Sequence, residues 1–258
     1  MTDTVVDWIA HHAKTTPRRV ATIDLASNRR HSYAEMHERV GRIAGFLRSA
    51  GIGKGDRVGL IAMNSTDILD IIFATWRVGA VHLALNFRLT APELAFIVGD
   101  AAPKLVFVDQ AFAGLKDALA PQSPDLRWVV LDGVGGATEF EEVIAAAEPV
   151  DSMVEQAASG QAMLMYSSGT TGRPKGVIIT HGMIMAAAIN EAINFEADRN
   201  MVSYAVMPLF HIGAMMGFSV PAMLFGATAV VERMFEPGAM IRAITSEEYG
   251  VTHFLALP

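Results

Sequence analysis

The chain has 258 residues, with 20 Lys and Arg against 27 Asp and Glu, for a net charge of −7. Apolar residues at 52% and charged residues at 18% exclude a disordered chain, and the absence of cysteine excludes disulfide scaffolds and thiolate sites. The acidic balance argues against nucleic-acid backbones and anionic membranes as general partners.

Read from the N-terminus, MTDTVVDWIAHHAKTTPRR lacks the basic stretch and apolar run of a secretory signal, so a cytoplasmic location is expected. Strands are expected at Val20–Asp24, Val58–Ala62, Val81–Leu85, Leu105–Asp109 and Trp128–Leu131. More follow at Ala162–Tyr166, Val177–Thr180, Val202–Met207, Ala227–Val231 and Thr252–Leu257. Several are unbroken apolar runs, as in parallel sheets covered on both faces. Ser32 with Glu35 opens a helix that should close near Gly51, and Thr90 with Glu93 and Thr138 with Glu141 repeat the spacing. Asn64–Val78 reads as a buried helix ended by Gly79. Such alternation predicts α/β architecture, doubly wound around parallel sheets.

Met201–Val231 contains no Asp, Glu, Lys or Arg and imitates a membrane span. Pro208, Gly213, Gly217, Pro221 and Gly226 interrupt it, so a buried strand, loop and helix are expected, with no transmembrane segment. Arg29-Arg30 reads as a solvated turn. His11, His12, His31, His37 and His82 have no metal-ligand spacing and read as surface or core residues, and His181 as a helix start.

The chemistry concentrates in Met165–Val177. A strand enters a loop with four hydroxyls (Ser167, Ser168, Thr170, Thr171), glycines at 169, 172 and 176, and Lys175, and a second strand follows. Glycines let backbone N–H groups approach a ligand, hydroxyls donate to phosphate oxygens or ligate a hard cation, and the lysine adds positive charge. This describes a polyanion-binding loop; a plain Gly/Ser/Thr hairpin without a ligand would use the same residue types. Gly172-Arg173-Pro174-Lys175 is not a Walker A sequence, and no GxGxxG follows a strand.

Tyr166–Val177 resembles the [YF]TSG[ST]TGxPKGV signature of the adenylate-forming, AMP-binding enzyme superfamily, with Ser167 where Thr is usual. His31–Met36 resembles its LTYxEL motif. Trp76–Val81 with Leu85–Leu89 resembles the KxGAVxVPxNxRL segment, and Met207–Ala214 the PLFHxxG motif of acyl-CoA synthetases. The chain is thereby identified as resembling the N-terminal portion of such an enzyme. The resemblance implies ATP-dependent activation of a carboxylic acid, with a fatty acid expected. An acyl-adenylate forms first, and coenzyme A then displaces AMP.

By the same resemblance, Ser168, Gly169, Thr170, Thr171 and Gly172 would wrap the phosphates of ATP. Lys175 would neutralise their charge, and Ser167 would contact Mg2+. His211 would orient the substrate carboxylate, which is already ionised and needs no general base. Ile212 and Gly213 would border the acyl site.

Two α/β subdomains are implied, 55–190 and, incomplete, 15–54 plus 191–258. Family segments beyond Pro258 hold the adenine, the ribose and a catalytic lysine, so the 258 residues alone are expected to be inactive, and an uncovered sheet edge suggests a homo-oligomer. The alternatives are a non-catalytic nucleotide-binding remnant, an adenylate-former for an aryl or alicyclic acid, and a kinase-like phosphate enzyme, which the TTGRPKG run disfavours.

Overall fold

The structure, a computed structural model, describes residues 4–121, 123–132, 136, 138–167 and 173–255. Helix α1 (Trp8–Thr15) is capped by Asp7, whose side chain accepts from the Ala10 amide at 3.0 Å. A hairpin of β1 (Val20–Asp24) and β2 (Arg30–Ser32) leads into α2 (Tyr33–Ser49). Strands and helices then alternate through β3 (Arg57–Ile61), α3 (Thr66–Arg77), β4 (Val81–Ala84), α4 (Ala91–Ala101) and β5 (Leu105–Asp109). The alternation continues with α5 (Gly114–Leu119), β6 (Arg127–Leu131) and α6 (Glu139–Ala145). Strands β7 (Gln161–Ser167) and β8 (Lys175–Thr180) precede α7 (His181–Phe195). The remainder comprises β9 (Val202–Ala205), the single turn α8 (Ile212–Ala214), α9 (Val220–Phe225), β10 (Thr228–Val231), α10 (Pro237–Thr245) and β11 (His253–Phe254).

Among the described residues these strands form two sheets. One has six strands in the order β6-β5-β3-β4-β7-β8, parallel except for β8. The other has five in the order β11-β9-β10-β1-β2, parallel except for β2. Winding reverses between β3 and β4 in the first sheet and between β9 and β10 in the second. Helices therefore cover both faces of each. Helix α3 is buried along its whole length and shares one apolar core with side chains of both sheets.

Burying α3 also buries its charges, so partners must come with them. Asp67 Oδ1 receives Arg29 Nη2 at 2.9 Å and Arg39 Nη2 at 2.7 Å, and Asp70 Oδ2 receives Arg39 Nε at 2.9 Å. Glu141 of α6 completes the network through Arg39 Nη2 at 2.6 Å. Arg29 is therefore not a solvated turn residue: the β1–β2 turn delivers it to α3. Glu141 answers these arginines instead of closing a reciprocal cap on Thr138, whose hydroxyl only accepts the Glu141 amide at 3.5 Å. Ser32 and Thr90 do form two-way capping boxes with Glu35 and Glu93.

One strand was not expected and others shift, Thr252–Leu257 shortening to His253–Phe254 among the described residues. The short strand β2 had no apolar run to reveal it. Val177 and Ile178 of β8 are about half exposed despite their apolar run, because β8 is an edge strand. Val206 and Met207 leave β9 because the loop after it is held elsewhere, as described below. The uncharged stretch resolves into strand, turn, helix and strand, and among the described residues no helix is long and apolar enough to cross a membrane.

Candidate functional site

The parallel strands of both sheets run toward one crevice. Residues following β3 (Met63, Asn64), β4 (Phe87, Arg88), β9 (Met207) and β10 (Arg233) line a cleft of about 510 Å3. It thus lies at the carboxyl ends of the strands, at the reversal points of both windings, where open α/β sheets bind ligands.

Three polar side chains align the two sheets there. Asn64 Nδ2 donates to the carbonyls of Met207 (2.9 Å) and Glu232 (3.2 Å), and its Oδ1 accepts from the Leu209 amide at 2.9 Å. One amide side chain at the end of β3 thereby ties down the loops after β9 and β10. Asp109, fully buried at the end of β5, receives Arg233 Nη2 at 2.8 and 3.1 Å. Asp24, at the end of β1, accepts the Thr66 amide at 3.0 Å at the start of α3.

The β7–β8 hairpin opens on the same edge of the six-stranded sheet. Ser167 and Lys175 are cross-strand partners at the neck of its loop. Directly opposed residues share a face, and here it is the face of Met163 and Met165, which join the core containing α3. On the other face Tyr166 lies opposite Gly176, where an added Cβ would sit 3.2 Å from the Tyr166 ring. That space lets the ring reach α4, and its hydroxyl donates to Asp100 at 2.5 Å. Lys175 is exposed and makes no ion pair among the described residues. Ser168, Gly169, Thr170, Thr171 and Gly172 lie outside the described residues.

His211 is exposed at the start of α8, where its Nδ1 accepts the Gly213 amide at 3.2 Å. An N–H donor at Nδ1 requires that nitrogen to be unprotonated, so the neutral ring carries its proton on Nε2 and can donate it outward. Ile212 is exposed and Gly213 half-buried. None of the three lines the cleft directly. They follow Phe210, whose ring meets Phe87 of the cleft at 5.0 Å. His181, read as a helix start, does begin α7 but is buried and bonded to Gln156 Oε1 at 3.1 Å. Burial lowers its pKa to about 4.

Sequence reading missed Asn64, Asp24, Asp109 and Arg233. A signal was available for the aspartates: each ends a strand that is otherwise buried, VATID and LVFVD. A carboxylate in that position must meet donors, and besides the local amides of Ala26, Ser27 and Ala111 each finds one in the facing layer.

Comparison with known proteins agrees with this arrangement. The family model described as AMP-binding enzyme matches residues 9–258. The chain is similar to a long-chain-fatty-acid–CoA ligase, FadD13, of Mycobacterium tuberculosis, with 31% identity over 94% of this chain and 48% of that protein. It is also similar to a feruloyl-CoA synthase of Amycolatopsis, with 32% identity over 93% of this chain and 46% of that protein. The chain spans about half the length of the curated relatives it matches. Among solved structures, the inhibitor-bound N-terminal domain of FACL13 from M. tuberculosis superposes with a TM-score of 0.84 at 29% identity, covering 92% of this chain and 59% of that one. ATP-bound MatB from Rhodopseudomonas palustris gives 0.82 at 26% identity, covering 92% and 47%.

Proposed function

Because the chain belongs to the AMP-binding enzyme family, we propose that it is the phosphate-binding half of an ATP-dependent acid–thiol ligase of the acyl-CoA synthetase type. A substrate carboxylate attacks the α-phosphate of ATP, pyrophosphate leaves, and the thiol of coenzyme A then displaces AMP. A fatty acid is the substrate class we favour, with aryl acids as the alternative; relatives named for both kinds of acid are similar to this chain.

The observation that carries this reading is the hairpin neck. It places Ser167 and Lys175 on one face at the carboxyl edge of the six-stranded sheet, the edge that bounds the crevice. Lys175 offsets phosphate charge while Ser168–Gly172 enclose the phosphates. His211 donates from Nε2 to an anionic oxygen of the acid or the adenylate. Among the described residues no three His, Asp or Glu gather to hold a metal, whereas Ser167 offers a single hydroxyl. That donor set suits Mg2+ carried mainly by phosphate oxygens and water, with Ser167 as one ligand. Mg2+ bound there would neutralise phosphate charge.

The reaction is assigned to the cytoplasm, where ATP and coenzyme A are available. The exposed apolar residues Ile189, Ile193 and Phe195 of α7 and Val177 and Ile178 of β8 support self-association of the isolated chain.

Calorimetric titration of the 258-residue chain with Mg2+-pyrophosphate tests the loop. Lys175→Ala should weaken binding on the order of tenfold, the worth of one charged contact. No binding, or equal binding by the variant, would overturn the assignment. The 258 residues by themselves should support little ATP–pyrophosphate exchange with fatty or aryl acids; robust exchange would refute that expectation.

A further inference from the structure

A few residues past His211 the chain bends sharply between α8 and α9. Gly217 has φ −79° and ψ 80°, and Phe218 has φ 72° and ψ −10°. A positive φ is natural for glycine and strained for phenylalanine, so the surroundings must enforce it. Ser219 Oγ donates to the Ala214 carbonyl at 3.0 Å. The Phe218 ring meets Phe195 and His253 edge-on at 5.5 and 5.3 Å. The Phe218 amide donates to Glu191 Oε1 at 3.4 Å, which joins the bend to α7.

Glu191 is an unusual residue to find there. Its Oε2 is buried with no hydrogen-bond partner. Burial pushes its carboxyl up to about 7, and the Phe218 amide offsets only part of that rise. No charged side chain contributes to the shift. The titratable group across the bend is His253, whose Nε2 is engaged with the Phe195 carbonyl at 2.8 Å. The bend also abuts the crevice: a Cβ on Gly217 would lie 3.0 Å from Leu255 Cδ2, and Leu255 lines the cleft.

We propose that Glu191 is a positioning residue that holds the Phe218 amide, fixes the left-handed bend, and so sets the wall that Gly217 and Leu255 present to the cleft. Only the description of that wall as part of an acid-binding site rests on the function proposed above. Glu191 acts through the backbone and touches no substrate. Leucine in its place would leave the Phe218 N–H without this acceptor, whereas glutamine would keep a neutral oxygen in reach.

Amide hydrogen exchange of the 258-residue chain, followed by NMR as protection factors, tests this. At pH 8, Glu191→Leu should lower protection at Phe218 at least tenfold and leave the amides of α3 unchanged. Glu191→Gln should retain most of the protection. In the parent chain Phe218 protection should fall from pH 8 to pH 6 toward the level of Glu191→Gln, as the carboxylate takes a proton and its neutral oxygen becomes the weaker acceptor, and in Glu191→Gln it should stay flat. Unchanged protection in Glu191→Leu, equal losses in both variants, or matching pH profiles in parent and Glu191→Gln would each overturn the proposal. Should Glu191→Leu fail to fold, the two pH profiles still decide. No ligand enters any arm, so this result stands apart from the pyrophosphate titration.

Discussion

His82 is completely buried in β4, with both ring nitrogens unpartnered, and burial drives its pKa down to about 3. The unfolded chain would bind that proton near the ordinary value of 6.5. Below about 6.5 the unfolded state therefore takes up a proton that the folded state refuses, and stability is lost as pH falls. The slope approaches about 1.4 kcal/mol per pH unit for each such group. His181 adds to the loss down to about pH 4. Glu191 works in the opposite direction, because its raised carboxyl takes a proton first in the folded state, below about pH 7. A raw stability profile mixes these signs. His82→Leu removes one of them, so the drop in unfolding free energy between pH 7 and pH 5 should be smaller in the variant. Urea titrations at both pH values measure it, and equal drops would count against a neutral buried His82.

At the scale of elements, helix starts differ by what their acidic residue does. At α2, Glu35 reaches back to the Ser32 amide at 2.7 Å while Ser32 accepts the Glu35 amide. At α6, Glu141 belongs to Arg39 and the cap is one-sided. Ser32→Ala should cost about 1 kcal/mol, the usual worth of a good cap. Thr138→Ala should cost less, and denaturant midpoints at constant m-value compare the two. Elements of this kind were readable in the sequence because their signals are local. Leu105–Asp109 keeps its expected bounds as β5, and Gly79, at φ 79°, follows the end of α3 as its sequence suggested. The hairpin itself was readable for the same reason, although Ser167 and Lys175, expected in its loop, are the last residue of β7 and the first of β8. Asn64, Asp109 and Arg233 become one set only when two sheets meet, and no periodicity marks that meeting. The apolar run of β8 misled because edge position depends on partner strands far along the chain.

For the whole molecule, the polar part of the joint between the sheets rests on few side chains. Arg39 of α2 serves Asp67, Asp70 and Glu141 together. Burial alone would raise Asp67, but Arg29 and Arg39 hold it below the ordinary range, whereas Asp70, with Oδ1 unpartnered, is pushed up by its burial. Arg39→Ala strands buried carboxylates and should cost about 3–5 kcal/mol. Arg39→Lys should restore little, because one ammonium cannot reproduce the fork; thermal unfolding of both variants reads this directly.

The pairing of β1 with β10 has a consequence in time. Asp24 lies beside Val231, roughly 200 residues later in the chain. At a synthesis rate of about 5–20 residues per second, the finished β1–β2 hairpin waits on the order of 10–40 s for its neighbour to emerge. Through that interval the side of β1 destined for β10 is an open strand edge, while the six-stranded sheet can already close behind it. Strand β1, between β10 and β2 in the second sheet, is thus made early and used late. A nascent chain halted before β10 should be the species most readily held by chaperones and most readily lost to edge-to-edge aggregation.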